Sequence, residues 1–96
     1  MNFCVYKHTA PNGKVYIGIT CQKPEERWKN GKGYGNNKHF KAAIQYYGWP
    51  NIQHEIIKDN LTKEQACILE KELIKIFDST NPKKGYNQST GGENPG

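Results

Sequence analysis

Apolar and polar residues alternate in two segments near the N-terminus, FCVYKH at residues 3–8 and KVYIGIT at residues 14–20. A period of two with aromatic and β-branched residues is typical of β-strands. Pro11, Asn12 and Gly13 lie between the two segments and favour a turn. The pattern therefore predicts a β-hairpin.

The alternation also assigns the side chains of this hairpin to two faces. The predicted core face holds the apolar residues Phe3, Val5, Val15, Ile17 and Ile19. Tyr6 and Tyr16 are expected on the opposite face. If residue 5 pairs with residue 17, the loop closes over residues 9–13 and the two tyrosines become direct cross-strand neighbours.

Two helices are predicted next. Pro24 favours the start of a short helix, which the Gly- and Asn-rich sequence NGKGYGNN at residues 30–37 would end as a loop. Apolar residues at helical spacing predict a second helix over about residues 38–47, with Gly48 at its C-terminal cap. We expect the aromatic residues Tyr46, Tyr47 and Trp49 to pack in the core.

The second half of the chain predicts one strand and one longer helix. Residues 51–58 are typical of a strand, and Asp59 and Asn60 favour a turn after it. Thr62 and Gln65 form a capping box for a helix that continues to about Asp78. The expected fold class is α/β of the α+β type, with a small, mainly antiparallel three-stranded sheet flanked by helices.

Glu70 lies on the apolar face of this last helix. At about 100° per residue, the apolar stripe comprises Ala66, Leu69, Leu73, Ile76 and Phe77. A buried ionised carboxylate is costly unless it is paired or binds a metal. Glu70 could lie half-exposed at the edge of the stripe, pair with Arg27, or hold a metal.

Composition narrows the classes of function. The 96 residues suit one domain, and 14 Lys and Arg against 9 Asp and Glu give a formal charge of +5, which suits a nucleic-acid partner. Three irregularly spaced cysteines without a CxxC motif indicate neither a zinc ribbon nor a disulfide framework. The spacing of His8, His39 and His54 predicts no zinc site. Without a signal peptide or a long apolar run, we expect a soluble cytoplasmic protein with no membrane partner.

Five short matches occur in a fixed order along the chain. Cys4-Val5-Tyr6 is followed by Tyr16-Ile17-Gly18, then by Arg27, by Glu70 four residues before Ile74, and by Gly85-Tyr86-Asn87. This order resembles the GIY-YIG nuclease family, and the resemblance extends from Phe3 to about Gly92. It implies a catalytic domain over residues 1–92, with residues 93–96 as a C-terminal tail.

The resemblance implies an endonuclease that hydrolyses phosphodiester bonds of double-stranded DNA with one divalent metal, Mg²⁺ or Mn²⁺. Tyr6 would act as the general base or position the attacking water, and Tyr16 would bond the phosphate or the water. A tyrosine base needs a nearby cation to favour its phenolate, which Arg27 or the metal could supply. Arg27 would contact the phosphate, Glu70 would hold the metal, and Asn87 would orient the other site residues.

Two departures from the family pattern affect the predicted site. Many members have His or Tyr four residues after the arginine, where this chain has Gly31. Tyr34 is the preferred substitute and His39 the alternative. Some members have a lysine directly after the second motif, where this chain has Ile19. Any charge role of that lysine would pass to Lys14, to Lys32 or to no residue, and Lys14, Lys32 and His39 are the candidate nucleic-acid contacts.

A second class of function is a catalytically inactive nucleic-acid-binding module that retains the nuclease fold. The joint presence of Tyr6, Tyr16, Arg27, Glu70 and Asn87 argues against it, because a relic would have lost at least one. Sequence specificity would come from a fused or separate DNA-binding module. The pattern is most similar to phage-borne, homing-type and other mobile-element nucleases.

Overall fold

The structure is a computed structural model, and it describes residues 2–89. In this part of the chain, three antiparallel strands form one sheet in the order β2-β1-β3. The strands are β1 (Phe3–Thr9), β2 (Val15–Thr20) and β3 (Gln53–Leu61). The predicted hairpin is confirmed. The predicted tail, residues 93–96, lies outside the described residues.

The register of the hairpin differs from the expected one by two residues. Val5 pairs with Ile19 rather than with residue 17, Tyr6 is opposite Gly18, and His8 is opposite Tyr16. The turn causes this shift, because the Ala10 amide donates to the Lys14 carbonyl at 2.9 Å and closes the loop one residue later than expected. The face assignment is nevertheless right, since a shift of two residues keeps every side chain on its face.

The third strand continues past the predicted turn. Asp59 and Asn60 lie within β3, which ends at Leu61 opposite Phe3. A β-bulge near Val5 shifts the register at this point, and Asn60 takes the left-handed φ of 55°. The expected turn is therefore wrong, because the bulge absorbs the irregular residues without ending the pairing.

The helices largely follow the predictions. They are α1 (Pro24–Trp28), α2 (Lys38–Tyr47) and α3 (Lys63–Phe77), with short 3-10 helices over Lys29–Tyr34 and Trp49–Asn51. The capping box is present, since Thr62 Oγ1 accepts from the Gln65 amide at 3.1 Å and Gln65 Oε1 accepts from the Thr62 amide at 2.9 Å. The loop predicted over residues 30–37 instead includes the kinked 3-10 segment, in which Asn30 and Gly31 have positive φ.

Both faces of the sheet are covered, which confirms the α+β class. On one face α3 packs on the predicted core residues of the hairpin, all of which are buried. The second core lies on the face of Tyr16 and consists mainly of Tyr34, Phe40, Ile52 and Tyr86. The face that carries the two hairpin tyrosines is therefore an aromatic interior rather than an open surface.

Two packing predictions are wrong. The buried line of α3 runs through Ala66, Glu70 and Ile74, at intervals of four residues, whereas Ile76 is 73% exposed. Ala66, Leu69, Leu73 and Phe77 of the predicted stripe do pack in or against the first core, so the error is confined to Ile76, and Ile74 is buried instead. Tyr46 is 82% exposed, although Tyr47 and Trp49 do pack against the second core as expected.

The segment after α3 returns along the outer edge of β2. The Lys84 carbonyl accepts from the Val15 amide at 3.3 Å, and the Tyr86 amide donates to the Val15 carbonyl at 2.9 Å. The resulting parallel bridge between Val15 and Gly85 covers an edge that would otherwise present unpaired groups. Within residues 2–89, no helix has both the length and the apolar character needed to cross a membrane.

Candidate active site

Tyr6 lies in the middle of β1, and its ring extends across the sheet over Gly18. The residue is 1% exposed. A Cβ atom at position 18 would lie 2.5 Å from Tyr6 Cζ and 2.8 Å from Cε1, which are impossible contacts. The packing of Tyr6 therefore explains why Gly18 is a glycine: only a residue without a side chain leaves room for the Tyr6 phenol.

Tyr16 is the diagonal neighbour of Tyr6 rather than its direct partner. The two ring centroids are 6.4 Å apart with an interplanar angle of 28°. Tyr16 also stacks on Phe40, with centroids 5.0 Å apart and planes within 4°. The hairpin thus brings the two phenols together as predicted, although through a different register.

Tyr34, and not His39, contacts Tyr6. The hydroxyl oxygens of Tyr34 and Tyr6 are 3.4 Å apart, and Tyr34 is only 3% exposed. The His39 side chain is exposed and packs on the Tyr86 ring, with centroids 4.7 Å apart. The 3-10 segment after α1 delivers Tyr34 inward, which the spacing of residues after Arg27 could not show.

Arg27 projects from α1 into the same cluster. Its Nη1 donates to the Gly33 carbonyl at 2.8 Å, and its guanidinium carbon lies 4.8 Å from the centre of the Tyr34 ring. The Arg27 Nε–H is buried and has no hydrogen-bond partner within residues 2–89. The 3-10 segment therefore holds the guanidinium through Nη1, while the Nε–H donor remains available for another acceptor.

Glu70 lies on the buried side of α3 and is 8% exposed. The helix packs on the face of the sheet opposite the tyrosines, yet the Glu70 carboxylate is near enough to raise the pKa of both Tyr6 and Tyr16. Glu64 and Glu72, predicted as solvated residues, are exposed. The buried position of Glu70 is thus confirmed, and the carboxylate belongs electrostatically to the group formed by the tyrosines and Arg27.

The pKa values of the Tyr6 and Tyr16 phenols are raised, whereas a nearby cation was expected to favour the phenolate. Burial raises the pKa of Tyr6 above its ordinary value of 10.0, and the nearby Tyr16 raises it further. Arg27 and the hydrogen bond with Tyr34 lower it, but they do not outweigh burial. The pKa of Tyr16 is also raised by burial, although Arg27 opposes this. In the resting protein both phenols are therefore protonated, and a Tyr6 base needs a proton acceptor.

Asn87 fixes the end of the described chain to β2. Its Oδ1 accepts from the Ile17 amide at 2.9 Å, and its Nδ2 donates to the Ile17 carbonyl at 2.8 Å. The Asn87 amide also donates to the Ser79 carbonyl at 2.9 Å. The Asn87 side chain thus takes the place of a neighbouring strand at Ile17, and its two hydrogen bonds are with the backbone.

The candidate nucleic-acid contacts differ in their exposure. Lys14 is half-buried at the start of the second hairpin strand, with its ammonium 5.9 Å from the centre of the Tyr86 ring. Lys32 is exposed in the 3-10 segment between Arg27 and Tyr34. His39 is exposed on α2 and packs against the Tyr86 ring.

Sequence reasoning missed the pairing of His8 with His54. The two residues are cross-strand partners, and their Nδ1 atoms are 2.9 Å apart. His8 is fully buried, and its Nε2 lies 2.6 Å from the Tyr34 hydroxyl. The alternation on β1 already places His8 on the face of Tyr6, but its partner depends on a strand register that spacing alone does not reveal.

The chain matches a known protein family. Residues 2–87 match the family model of the GIY-YIG catalytic domain, and the chain therefore belongs to the GIY-YIG family. A relative is "Putative endonuclease segE" of Enterobacteria phage T4, which is 35% identical over 81 residues. That match covers 84% of this chain and 37% of the phage protein, so the chain spans just over a third of the relative's length. No solved structure matches the chain.

Proposed function

We propose that this chain is a DNA endonuclease that hydrolyses phosphodiester bonds of double-stranded DNA with one divalent metal ion. Membership of the GIY-YIG family and the similarity to a phage protein named as an endonuclease support the reaction class. The observation that carries the proposal is the grouping of a buried carboxylate, a guanidinium and two phenols, with Glu70 and Arg27 both acting on Tyr6 and Tyr16. Hydrolysis of a phosphodiester needs these types of group in one place.

Arg27 is the phosphate-binding group of the proposal. Its buried Nε–H has no acceptor within the described residues, and a phosphate oxygen is a suitable one. The bond from Nη1 to the Gly33 carbonyl fixes the orientation of the planar guanidinium before substrate binds. Because this orientation is fixed in advance, less side-chain entropy is lost when the phosphate is bound.

Glu70 is the metal-binding residue of the proposal. The residues fit Mg²⁺ or Mn²⁺, since Glu70 is a buried carboxylate beside the phenols, and Mg²⁺ keeps several waters and needs only one or two carboxylates. Among residues 2–89 there is no group of three or more His, Cys, Asp or Glu side chains that could form an all-protein cage. When bound, the metal would offset the negative charge that develops on the phosphate and the leaving oxygen.

Tyr6 and Tyr16 act on the water and the phosphate. Tyr6 accepts the proton of the attacking water once its own proton has left, and Tyr16, beside Arg27, donates a hydrogen bond to a phosphate oxygen. Asn87 keeps β2 in place beneath Tyr16 through the two bonds to Ile17. Tyr34 contacts Tyr6 directly, which makes it the second hydroxyl of the site.

Lys14, Lys32 and His39 are proposed to contact the DNA backbone, with His39 acting at the surface rather than in catalysis. Such contacts would make DNA affinity fall as salt is added. The greater length of the phage relative supports a fused or separate module that supplies sequence specificity. We place the protein in the cytoplasm as a phage or mobile-element nuclease.

The test is cleavage of supercoiled plasmid DNA with Mg²⁺, using Glu70→Gln and the matched control Glu72→Gln on the exposed side of the same helix. Wild type and Glu72→Gln should nick the plasmid, and a chelator should stop both. Glu70→Gln should lose activity on the order of 10²-fold or more. If wild type binds DNA but never cleaves it with any divalent metal, the chain is an inactive binding module instead.

A further inference from the structure

The two paired histidines lie at the end of a hydrogen-bonded chain that begins at Tyr6. The Tyr6 and Tyr34 hydroxyls are 3.4 Å apart, Tyr34 is 2.6 Å from His8 Nε2, and the two histidine Nδ1 atoms are 2.9 Å apart. His54 Nε2 then lies 3.1 Å from the Trp49 carbonyl oxygen. These four links join three elements of the fold to the proposed base.

The donor and the acceptor of each hydrogen bond in this chain follow from the last bond, between His54 and the Trp49 carbonyl. A carbonyl oxygen only accepts, so His54 Nε2 carries a proton, and the Nδ1 of a neutral His54 is an acceptor. His8 Nδ1 must then donate to it, which leaves His8 Nε2 as an acceptor for the Tyr34 hydroxyl. The single proton of Tyr34 is thus committed to His8, and the Tyr34 oxygen can accept from Tyr6.

We propose that His8 and His54, together with Tyr34, form a proton relay that removes the hydroxyl proton of Tyr6 and delivers it to His54. This proposal rests on the proposed nuclease function, in which Tyr6 acts as the base. The relay makes His8, His54 and Tyr34 positioning residues for that reaction, because they act through Tyr6 and not on the substrate.

The transfer is balanced at each atom. The Tyr6 O–H bond breaks as its proton bonds to the Tyr34 oxygen, and the Tyr34 proton moves to His8 Nε2. The His8 Nδ1 proton moves in turn to His54 Nδ1. The products are a Tyr6 phenolate and a His54 imidazolium, while Tyr34 and His8 stay neutral. Every hydrogen bond is kept with its direction reversed, except the one from His54 Nε2 to Trp49, which is unchanged.

His54 is a better site for the positive charge than His8. His8 is fully buried, and its pKa is lowered to about 2 by burial, by His54 and by Arg27. His54 is half-buried; burial lowers its pKa, and the bond to the Trp49 carbonyl opposes that effect. Its ring also stacks on the Trp49 indole, with centroids 4.0 Å apart, and a cation is attracted to the face of an indole. Of the two histidines, His54 is therefore the one that would carry the proton, and His8 would pass it on.

The surroundings of the relay contain few other ionisable groups. The titratable or charged side chains that act on His8 are His54 on β3, Tyr6 on its own strand, Tyr16 on β2, Tyr34 and Arg27. The other rings against the histidines are Trp28, Phe40 and Trp49, which do not titrate. We therefore expect the rate of DNA cleavage to fall at low pH as His54 is protonated. A His54 that is already protonated cannot accept the Tyr6 proton. We call this fall the acid limb of the pH profile.

The first test needs neither metal nor DNA. Nitrogen-15 NMR of the imidazoles in the metal-free protein should show neutral His8 with its proton on Nδ1 and neutral His54 with its proton on Nε2. Lowering the pH should protonate His54 first and move the His8 proton to Nε2. A His8 that carries its proton on Nε2 at neutral pH would contradict the relay, since Tyr34 could not then donate to it.

The second test is single-turnover DNA cleavage across pH by His54→Asn and by the control Gln53→Asn, an exposed residue of the same strand outside the chain of hydrogen bonds. Asparagine can accept from His8 Nδ1 but cannot take up a proton. We expect His54→Asn to keep its thermal unfolding midpoint and DNA affinity, to lose about 10²-fold in rate near neutral pH, and to lose the acid limb of the wild type. Gln53→Asn should keep both the rate and its fall at low pH.

A rate and pH profile of His54→Asn equal to those of the wild type would overturn the relay and leave the nuclease proposal intact. If the wild type itself cleaves no DNA, the nuclease proposal fails and the relay has no reaction to serve. Should His54→Asn unfold, His54→Gln with the same measurements takes its place. Restoration of cleavage in His54→Ala by added imidazole would support a proton-accepting role over a structural one.

Discussion

Replacing Gly18 with alanine tests the packing of Tyr6 more directly than replacing the tyrosine itself. The new Cβ would lie 2.5 Å from Tyr6 Cζ and 2.8 Å from Cε1. The backbone φ of Gly18 is not in the left-handed region, so alanine brings no backbone strain of its own. The effect of this variant therefore comes from the overlap with the phenol.

The size of the effect follows from the burial of Tyr6. The ring is 1% exposed and is packed against His8, Tyr16 and Trp28, so it has no free volume to move into. Adding one methyl group to such a site costs about 1–3 kcal/mol of folding free energy. The phenol must also move, and a displacement of about 1 Å at a reacting group can cost on the order of 10²-fold in rate.

Urea denaturation and single-turnover cleavage would measure the two effects. The matched control is Gly35→Ala, because a Cβ at Gly35 meets nothing within 4 Å. We expect Gly18→Ala to lose both stability and activity and Gly35→Ala to keep both. A Gly18→Ala variant as stable and active as the wild type would refute the placement of the Tyr6 ring.

The remaining predictions concern the chain end and the pH dependence of folding. Asn87→Ala leaves the Ile17 amide and carbonyl without their partner and should lower the free energy of unfolding by about 1–3 kcal/mol, measured by urea denaturation beside the exposed control Gln88→Ala. His8 is neutral in the fold with a pKa of about 2, whereas its ordinary pKa is 6.5. As pH falls below 6.5 the unfolded chain takes up a proton that the folded chain does not, so stability should fall with acid, by about 2 kcal/mol between pH 6.5 and ~pH 5. Urea denaturation at several pH values should show this slope, and His8→Gln should reduce it by about one proton; an unchanged slope in His8→Gln would mean that His8 is not the group responsible.

The alternation of the hairpin residues was sufficient to predict which side chains share a face. The face of a side chain depends only on whether its position along the strand is odd or even, and a register error of two residues does not change that. The register itself depends on the hydrogen bond from Ala10 to Lys14 in the turn, which composition does not reveal. For this reason the sequence predicts that Tyr6 and Tyr16 lie together but cannot predict that Gly18 is the residue opposite Tyr6.

The buried position of Glu70 was predictable because helical periodicity is strong over fifteen residues. The choice between Ile74 and Ile76 was not, since both flank the stripe and only packing against the sheet decides between them. The pairing of His8 with His54 depends on β1 and β3, which lie more than forty residues apart in the chain. Contacts of this kind come from the tertiary fold and leave no periodic signal in the sequence.

The most direct measurement of the central claim is the paramagnetic effect of Mn²⁺ on the ring signals of Tyr6 and Tyr16 in NMR spectra of the protein without DNA. If Glu70 holds the metal beside the two phenols, Mn²⁺ should broaden both ring signals in the wild type and in Glu72→Gln, but not in Glu70→Gln. Ring signals that stay sharp in the wild type, or that broaden equally in Glu70→Gln, would contradict a metal site shared by the carboxylate and the phenols.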